Sequence, residues 1–454
     1  MLWAGLISAA VATSVAGYFL IKGKQPQLVL LAAGLVLLST AWLLGQPIVL
    51  KSPTGWPGFD MFEKITLSMR SKLGGIGTMI MVIAGFVAYM DHMGATRSLV
   101  EAAVKPIAFL KKTPNLAAVL VLPLGQVLSL CVPSAAGLGL LMIASVHPIL
   151  MRIGVSKLAS VSIIVLCTCF DMGPASANTA RASELLGMDN VTYFLGHQAP
   201  FAGIFTLVIM AVVYLQLRRF ETQGNAKEDG MVTEAQVAVP AYYALLPILP
   251  LILLMVFSAF FQTGANPVVL DTSTAMLVSL AVAMLTHALS GAGFREVEAG
   301  LKACWNGMGQ AFSRVVTLII AADLFAQGLI QLGLIEGLVQ FSNGLGWGAV
   351  GVLLVFVLLI FFASILMGSG NATFFAFAPL VSRVAETMGI SGIRLLLPMQ
   401  LASSMGRAAS PISGVVIATA GIADVDPLHV AKRNLLPLAV ALAMMLITES
   451  WILL

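Results

Sequence analysis

Charge is what this chain has least of. Asp, Glu, Lys and Arg make up 10% of its 454 residues, while 59% are hydrophobic. Soluble domains carry about 25% charged residues. A chain this long and this poor in charge cannot cover a globular surface with polar groups, which excludes a soluble fold and leaves an all-α polytopic membrane protein. Cysteine is scarce as well: Cys131, Cys167, Cys169 and Cys304 lie in or near apolar segments. The Cys-x-Cys at 167–169 has no His or Cys neighbours in sequence, so these are read as buried thiols rather than a metal site. No basic patch with interleaved aromatics is present, and nucleic acid is not an expected partner. The net charge of +4 sits in loops beside apolar segments and bears on topology instead. Nucleotide loop, zinc-ligand helix and catalytic triad are all missing, so neither an enzyme nor a cofactor is expected. "GLGLL" and "GGIG" are glycine patterns within spans.

What is there is a series of apolar runs. A membrane span needs about 20 predominantly apolar residues. Continuous candidates are 2–20, 27–47, 75–93, 200–217, 241–261, 273–290, 314–333 and 435–454. The first has no basic residue before it and Lys22 and Lys24 after it, the reverse of a secretory signal. Two amphipathic stretches, 60–73 and 295–312, are expected in the interface. Four further apolar regions are interrupted: 115–150 by "CVPSAAGLG", 157–188 by "DMGPASANTA", 347–382 by "GSGNATF" and 395–423 by "GRAASPISG". Unpaired backbone groups are costly in hydrocarbon, so broken helices survive only where protein or water satisfies them.

The breaks fall in register between the two halves. Ser134 matches Ser369, Pro174 matches Pro411, Ser176 matches Ser413, Asp189 matches Asp426 and Pro200 matches Pro437. Loop charge reverses between matching loops. The 94–114 loop carries Arg97, Lys105, Lys111 and Lys112, and its counterpart 334–346 has no Lys or Arg; 188–199 has none, and 424–434 has Lys432 and Arg433. Positive charge favours the inner side, so the pattern predicts an inverted-topology repeat of five crossings plus one re-entrant hairpin per half. The expected division is a first repeat at 1–217, with scaffold spans 1–114, a hairpin and broken helix 115–199 and a closing span 200–217. A cytoplasmic linker at 218–240 follows. The second repeat is 241–454, with scaffold 241–346, hairpin and broken helix 347–434 and closing span 435–454. Both termini then face outward.

At a helix break, free N–H groups suit anions and freed carbonyls suit cations. Ser134, Ser369, Gly370, Asn371 and Thr373 would line the two hairpin tips, and Ser176, Asn178, Thr179, Ser410 and Ser413 the two broken helices. The bland alternative for "LMGSGNATFF" is a helix-packing turn. Arg407 is a charge at membrane depth, which is expensive and by default functional. Its guanidinium fork matches a carboxylate, or it pairs with Asp171 as a structural ion pair. Asp171 and Asp323 are candidates for a coupling proton, or for ion pairs at a helix interface, and Arg314 lies nine residues before Asp323.

The stretches "GFVAYMDHMGA", "PSAAGLGLLM", "FAQGL", "MGSGNATFFAF" and "GRAASPISGVV" with "AGIADVDPLHVAKR" resemble the anaerobic C4-dicarboxylate carriers of the DcuC type, from about residue 5 to the C-terminus. That family belongs to a superfamily of inverted-repeat elevator carriers. The resemblance implies exchange, symport or efflux of succinate, fumarate or malate across a bacterial inner membrane, with the bilayer and a second copy of the chain, as a homodimer, for partners. Relatives with sodium sites carry Ser-Asn-Thr at both tips. Here "PSAAG" stands at the first and "SGNAT" at the second, so the sodium candidate is near Ser369 and Asn371, and the coupling ion is sodium or a proton. Two rivals stand beside this reading: a carrier for another small organic anion or an amino acid, with Asp171 reading an ammonium group, and an anion channel.

Overall fold

The structure, a computed structural model, describes residues 2–46, 48, 50, 52–106, 113–220, 240–258, 261–262 and 268–453. Most of the 218–240 linker, Lys111 and Lys112 lie outside the described residues. The described residues form helices and no strand. In chain order the first half holds α1 (Leu2–Ile21), α2 (Pro26–Leu43), α3 (Pro57–Lys72), α4 (Thr78–His92), α5 (Ala95–Val104), α6 (Pro114–Cys131), α7 (Ala135–Arg152), α8 (Lys157–Leu166), α9 (Ala177–Leu186), α10 (Asn190–Tyr193) and α11 (Ala199–Phe220). The second half holds α12 (Leu249–Val256), α13 (Thr272–Leu289), α14 (Phe294–Ala311), α15 (Thr317–Gln331), α16 (Leu334–Gly344), α17 (Gly348–Met367), α18 (Gly370–Phe377), α19 (Leu380–Met388), α20 (Ile393–Ala408), α21 (Gly414–Ile422) and α22 (Pro427–Leu453).

Among the described residues ten helical runs are long and apolar enough to cross a membrane. They include α6, α7 and α17, each an arm of a helical hairpin, and leave out the interrupted pairs α8–α9 and α20–α21. Two expectations need correction and one is extended. The amphipathic stretches 60–73 and 295–312 run directly into the spans that follow them. Phe294–Gln331 is one long helix that passes through a π-helical turn at Phe312–Val316, whereas α3 and α4 meet at a kink, because Gly75 within Leu73–Gly77 has a non-helical φ/ψ of −126°/−111°. At Phe312–Val316 the π turn adds a residue without ending the helix, so there the change from mixed to apolar sequence marks no boundary. The candidate span 241–261 is a 3₁₀ turn at Ala241–Leu245 followed by the short α12. Pro247 and Pro250 lie in that stretch, and proline withdraws the donors a continuous helix needs. Finally, the 94–114 and 334–346 loops contain helices α5 and α16, each started by a left-handed glycine, Gly94 (φ 76°) and Gly333 (φ 78°).

The long helices interleave the halves: α2 packs on α15, and α4 on α14 and α13. Lipid is as apolar as leucine, so such contacts depend on close approach at small residues. A Cβ on Gly34 would stand 2.8 Å from the Phe325 amide nitrogen, and one on Gly328 would stand 2.5 Å from the Leu37 Cβ. Around this layer sit the hairpins and broken helices, cross-paired between halves: α7 packs on α21, and α9 on α18 and α20. Phe325 of α15 and Phe377 of α18 meet edge to face, with ring centroids 6.4 Å apart, where the two groups touch.

Candidate functional site

Four serines stand at the helix restarts, and each is an N-cap. Ser134 accepts from the Gly137 amide at 3.2 Å, and Ser369 accepts from that of Ala372 at 3.3 Å. Ser176 accepts from Asn178 and Thr179, and Ser413 from Val416 at 3.4 Å. Their backbones match in pairs: φ/ψ is −128°/103° at Ser134 and −135°/107° at Ser369, then −79°/137° at Ser176 and −72°/144° at Ser413. The hydroxyls of Ser134, Ser369 and Ser413 each satisfy one orphan donor and that of Ser176 two, and the remaining donors stay with the positive end of the helix dipole.

A small recess opens between the first hairpin tip, the α8–α9 break and α20. Its lining includes Ser129, Ser134, Thr168, Asp171, Met172 and Arg407. Arg407 enters from the last turn of α20 and donates to the Thr168 carbonyl at 2.6 Å. A second guanidinium nitrogen stands 4.0 Å from the Asp171 carboxylate, and Nε is buried without a partner. Asp171 is held from the other side, by the Ser176 hydroxyl at 2.6 Å and the Asn178 amide at 3.1 Å. The arginine thus touches its carboxylate neighbour at one edge and keeps donors to spare.

The other expected residues are distributed around this recess. Thr179 donates to the Gln198 side-chain oxygen at 3.1 Å and accepts from Gln400 at 3.4 Å. Gln400 also donates to the Asp171 carbonyl at 3.1 Å and accepts from the Tyr193 hydroxyl at 2.7 Å. Gln198, Gln400 and Tyr193 were missed in the sequence, although a glutamine inside the apolar run "LLLPMQLASS" was the signal. At the second tip, Thr373 turns onto its own hairpin, bonding Ser364 and the Gly370 carbonyl at 2.9 Å. Gly370 lies against the Ser403 backbone, where a Cβ would stand 2.7 Å from the carbonyl oxygen. Ser410 donates to the Ile365 carbonyl at 2.6 Å. Asn371 Oδ1 and Asn178 Oδ1 are buried with no partner, as is the Ser404 hydroxyl. Of the expected substrate residues only Ser134 and Arg407 line the recess, with Asp171 beside them; Ser176, Asn178, Thr179, Ser369, Gly370, Asn371, Thr373, Ser410 and Ser413 do not. Asp323 meets Arg181 and Lys72.

A hairpin tip and a broken helix that meet Arg407 at a polar recess, in a chain whose described residues hold ten helical runs able to cross a membrane, fit a polytopic membrane transporter. Two solved transporters share the architecture. The YdaH transporter of Alcanivorax borkumensis is 16% identical with a TM-score of 0.64 over 94% of this chain and 98% of its own. MtrF of Neisseria gonorrhoeae, described as one of a class of antimetabolite efflux pumps, is 14% identical with a TM-score of 0.61 over 94% of each chain. The sequence matches the C4-dicarboxylate anaerobic carrier family, DcuC, over residues 5–450. Vibrio cholerae has a probable anaerobic C4-dicarboxylate transporter DcuC that is 33% identical over 97% of this chain and 96% of its own length. The Escherichia coli K12 anaerobic C4-dicarboxylate transporter DcuC is 32% identical over 98% and 96%. This chain belongs to the DcuC family, and it is a multi-pass protein of the bacterial inner membrane.

Proposed function

We propose that the protein carries C4-dicarboxylates such as succinate, fumarate and malate by exchange, efflux or ion-coupled symport, and that Arg407 reads one substrate carboxylate in the recess. The observation that carries this is the incomplete pairing of Arg407. Arg407 lines the recess, spends one nitrogen on the Thr168 carbonyl and has Asp171 only at 4.0 Å, whereas Arg181 elsewhere is closely paired with two carboxylates. The N-termini of α7 and α9 add partial positive charge at the same place. The proposed architecture is an inverted repeat, 1–217 and 241–454, whose two hairpins are re-entrant and move with the broken helices against the long helices as an elevator. The paired cap geometries and paired π turns support it.

Asp171 carries the proton in a proton-coupled version. A sodium-coupled version would use the unpartnered Asn371 oxygen near Ser369. A homodimer is the proposed assembly. Counterflow of labelled succinate in proteoliposomes tests the proposal: saturable uptake driven by internal fumarate is expected, with no uptake of an uncharged analogue. Unsaturable flux would return the protein to an anion channel, and uptake driven only by an amino acid would shift the reading to an ammonium-binding Asp171.

A further inference from the structure

A second charge cluster, built on the buried Arg181, lies apart from the recess. Arg181 of α9, with a side chain only 1% exposed, bonds both Glu184 one turn on and Asp323 of α15. Lys72, at the junction of α3 and the π turn, reaches Glu184 at 2.6 Å and Asp323 at 3.2 Å. Four side chains thus make a closed ring of alternating sign, with two members on α9 and two on the long helices. Arg181–Glu184 lies wholly on α9, and Lys72–Asp323 lies wholly within the long-helix layer. Arg181–Asp323 and Lys72–Glu184 cross between them.

We propose that this quartet is a separable latch, holding α9 to the long helices in one transport state and parting into two neutral pairs when α9 moves. The proposal rests on the carrier reading above. Its physical basis is charge bookkeeping at the break. Stranding a lone charge at low dielectric is costly, but parting along this boundary strands none, because each side keeps one cation and one anion. No proton has to be taken up for the separation. The fold does not demand the cluster either. Taking the cap serines and π turns as register marks, the matching positions of the other half are Ala311 for Lys72, Ala84 for Asp323, Ala418 for Arg181 and Gly421 for Glu184. The same elements are therefore built there without a charge at these four positions.

The test compares two double variants that share Asp323→Asn and differ only in the cation removed. Lys72→Met with Asp323→Asn leaves Arg181–Glu184 intact on α9 and nothing to hold it, so the latch is lost. Arg181→Met with Asp323→Asn leaves Lys72 facing Glu184 across the boundary, so separation strands two charges and the latch is locked. Spin labels at Ser52→Cys, in the loop before α3, and Thr387→Cys, on α19, report the separation in full-length protein in lipid, with the partly exposed Cys131 replaced by Ser. The first variant should gain population at the second label distance. The second should hold a single distance and lose counterflow turnover by about tenfold or more. Equal shifts, shifts in the opposite sense or no shift in either variant would overturn the latch. A structural ion cluster, or a proton carried by Asp323, makes the two variants alike. Loss of succinate counterflow in the unmodified protein would overturn the carrier reading instead, and the label distances would still report on the latch.

Discussion

At the scale of single residues, Arg407 is where the substrate proposal is most exposed to test. A hydrogen bond to a charged group contributes about 1.5–3 kcal/mol, so a bidentate carboxylate contact accounts for roughly tenfold to several hundredfold in affinity. Arg407→Lys keeps the charge and loses the fork; the substrate concentration for half-maximal counterflow should rise within that range. Arg407→Ala should abolish transport, and adding Asp171→Asn should restore folded protein in the membrane without restoring transport. Recovered transport in that double variant would make Arg407 a structural partner of Asp171, 4.0 Å away. Asn371 gives an independent prediction. Its side-chain oxygen is buried and unpartnered, a costly arrangement in a site with no ligand. Asn371→Leu should therefore fold normally and fail in counterflow, and unchanged uptake kinetics would reduce "GSGNATFF" to a packing turn. The serines show the limit of residue-level reading. Ser134, Ser176, Ser369 and Ser413 were legible as special positions, but the same residue type serves as an N-cap and as a ligand, and only the structure revealed the caps.

At the scale of elements, close approach decides more than hydrophobicity does. The α17 and α20 helices touch where Gly406 meets the Phe361 carbonyl, and a Cβ there would lie 2.4 Å from that oxygen. Gly406→Ala should force the helices apart at a cost of about 1–3 kcal/mol, read as a lower thermal unfolding temperature in detergent. The control is Gly309→Ala on α14, where nothing stands within 4 Å of the new carbon. An exposed helical glycine replaced by alanine gains up to about 1 kcal/mol, so that variant should be neutral or stabilised. An equal loss in both would mean that the Gly406 contact does not hold α20 in place. Helix positions were largely readable because apolar runs and proline or glycine punctuation are local signals, as at Gly94 and Gly333. The π turns were not readable: Leu73–Gly77 and Phe312–Val316 share no sequence pattern beyond following an amphipathic arm. The ion quartet was hidden for a different reason. Its members come from three segments, with Arg181 and Asp323 142 residues apart, and no periodicity joins them.

At the scale of the whole molecule, composition alone excluded a soluble fold, and the quoted motifs carried the family, which the match over residues 5–450 then showed. The orientation of the halves rests on a weaker kind of signal, the placement of Lys and Arg. Arg218 and Arg219 end α11, and Lys432 and Arg433 lie in the first turns of α22, whereas α16 carries no Lys or Arg. Positive charge favours the cytoplasmic side, so residues 221–239 are expected inside and α16 outside. With an odd number of crossings in each half the second repeat must enter the membrane the opposite way up. An inverted repeat of this kind would bring the capped helix starts of the two halves toward the midplane from opposite sides. Single cysteines at Ala226 and Gln340, each in a background without the native thiols, separate the possibilities. An impermeant maleimide added to whole cells should label Gln340→Cys and spare Ala226→Cys, and inside-out vesicles should give the reverse. Labelling of both from one side would remove the inverted repeat. The hairpins would then lose their opposed entry, and the paired serine caps would be a coincidence of sequence rather than two halves of one carrier.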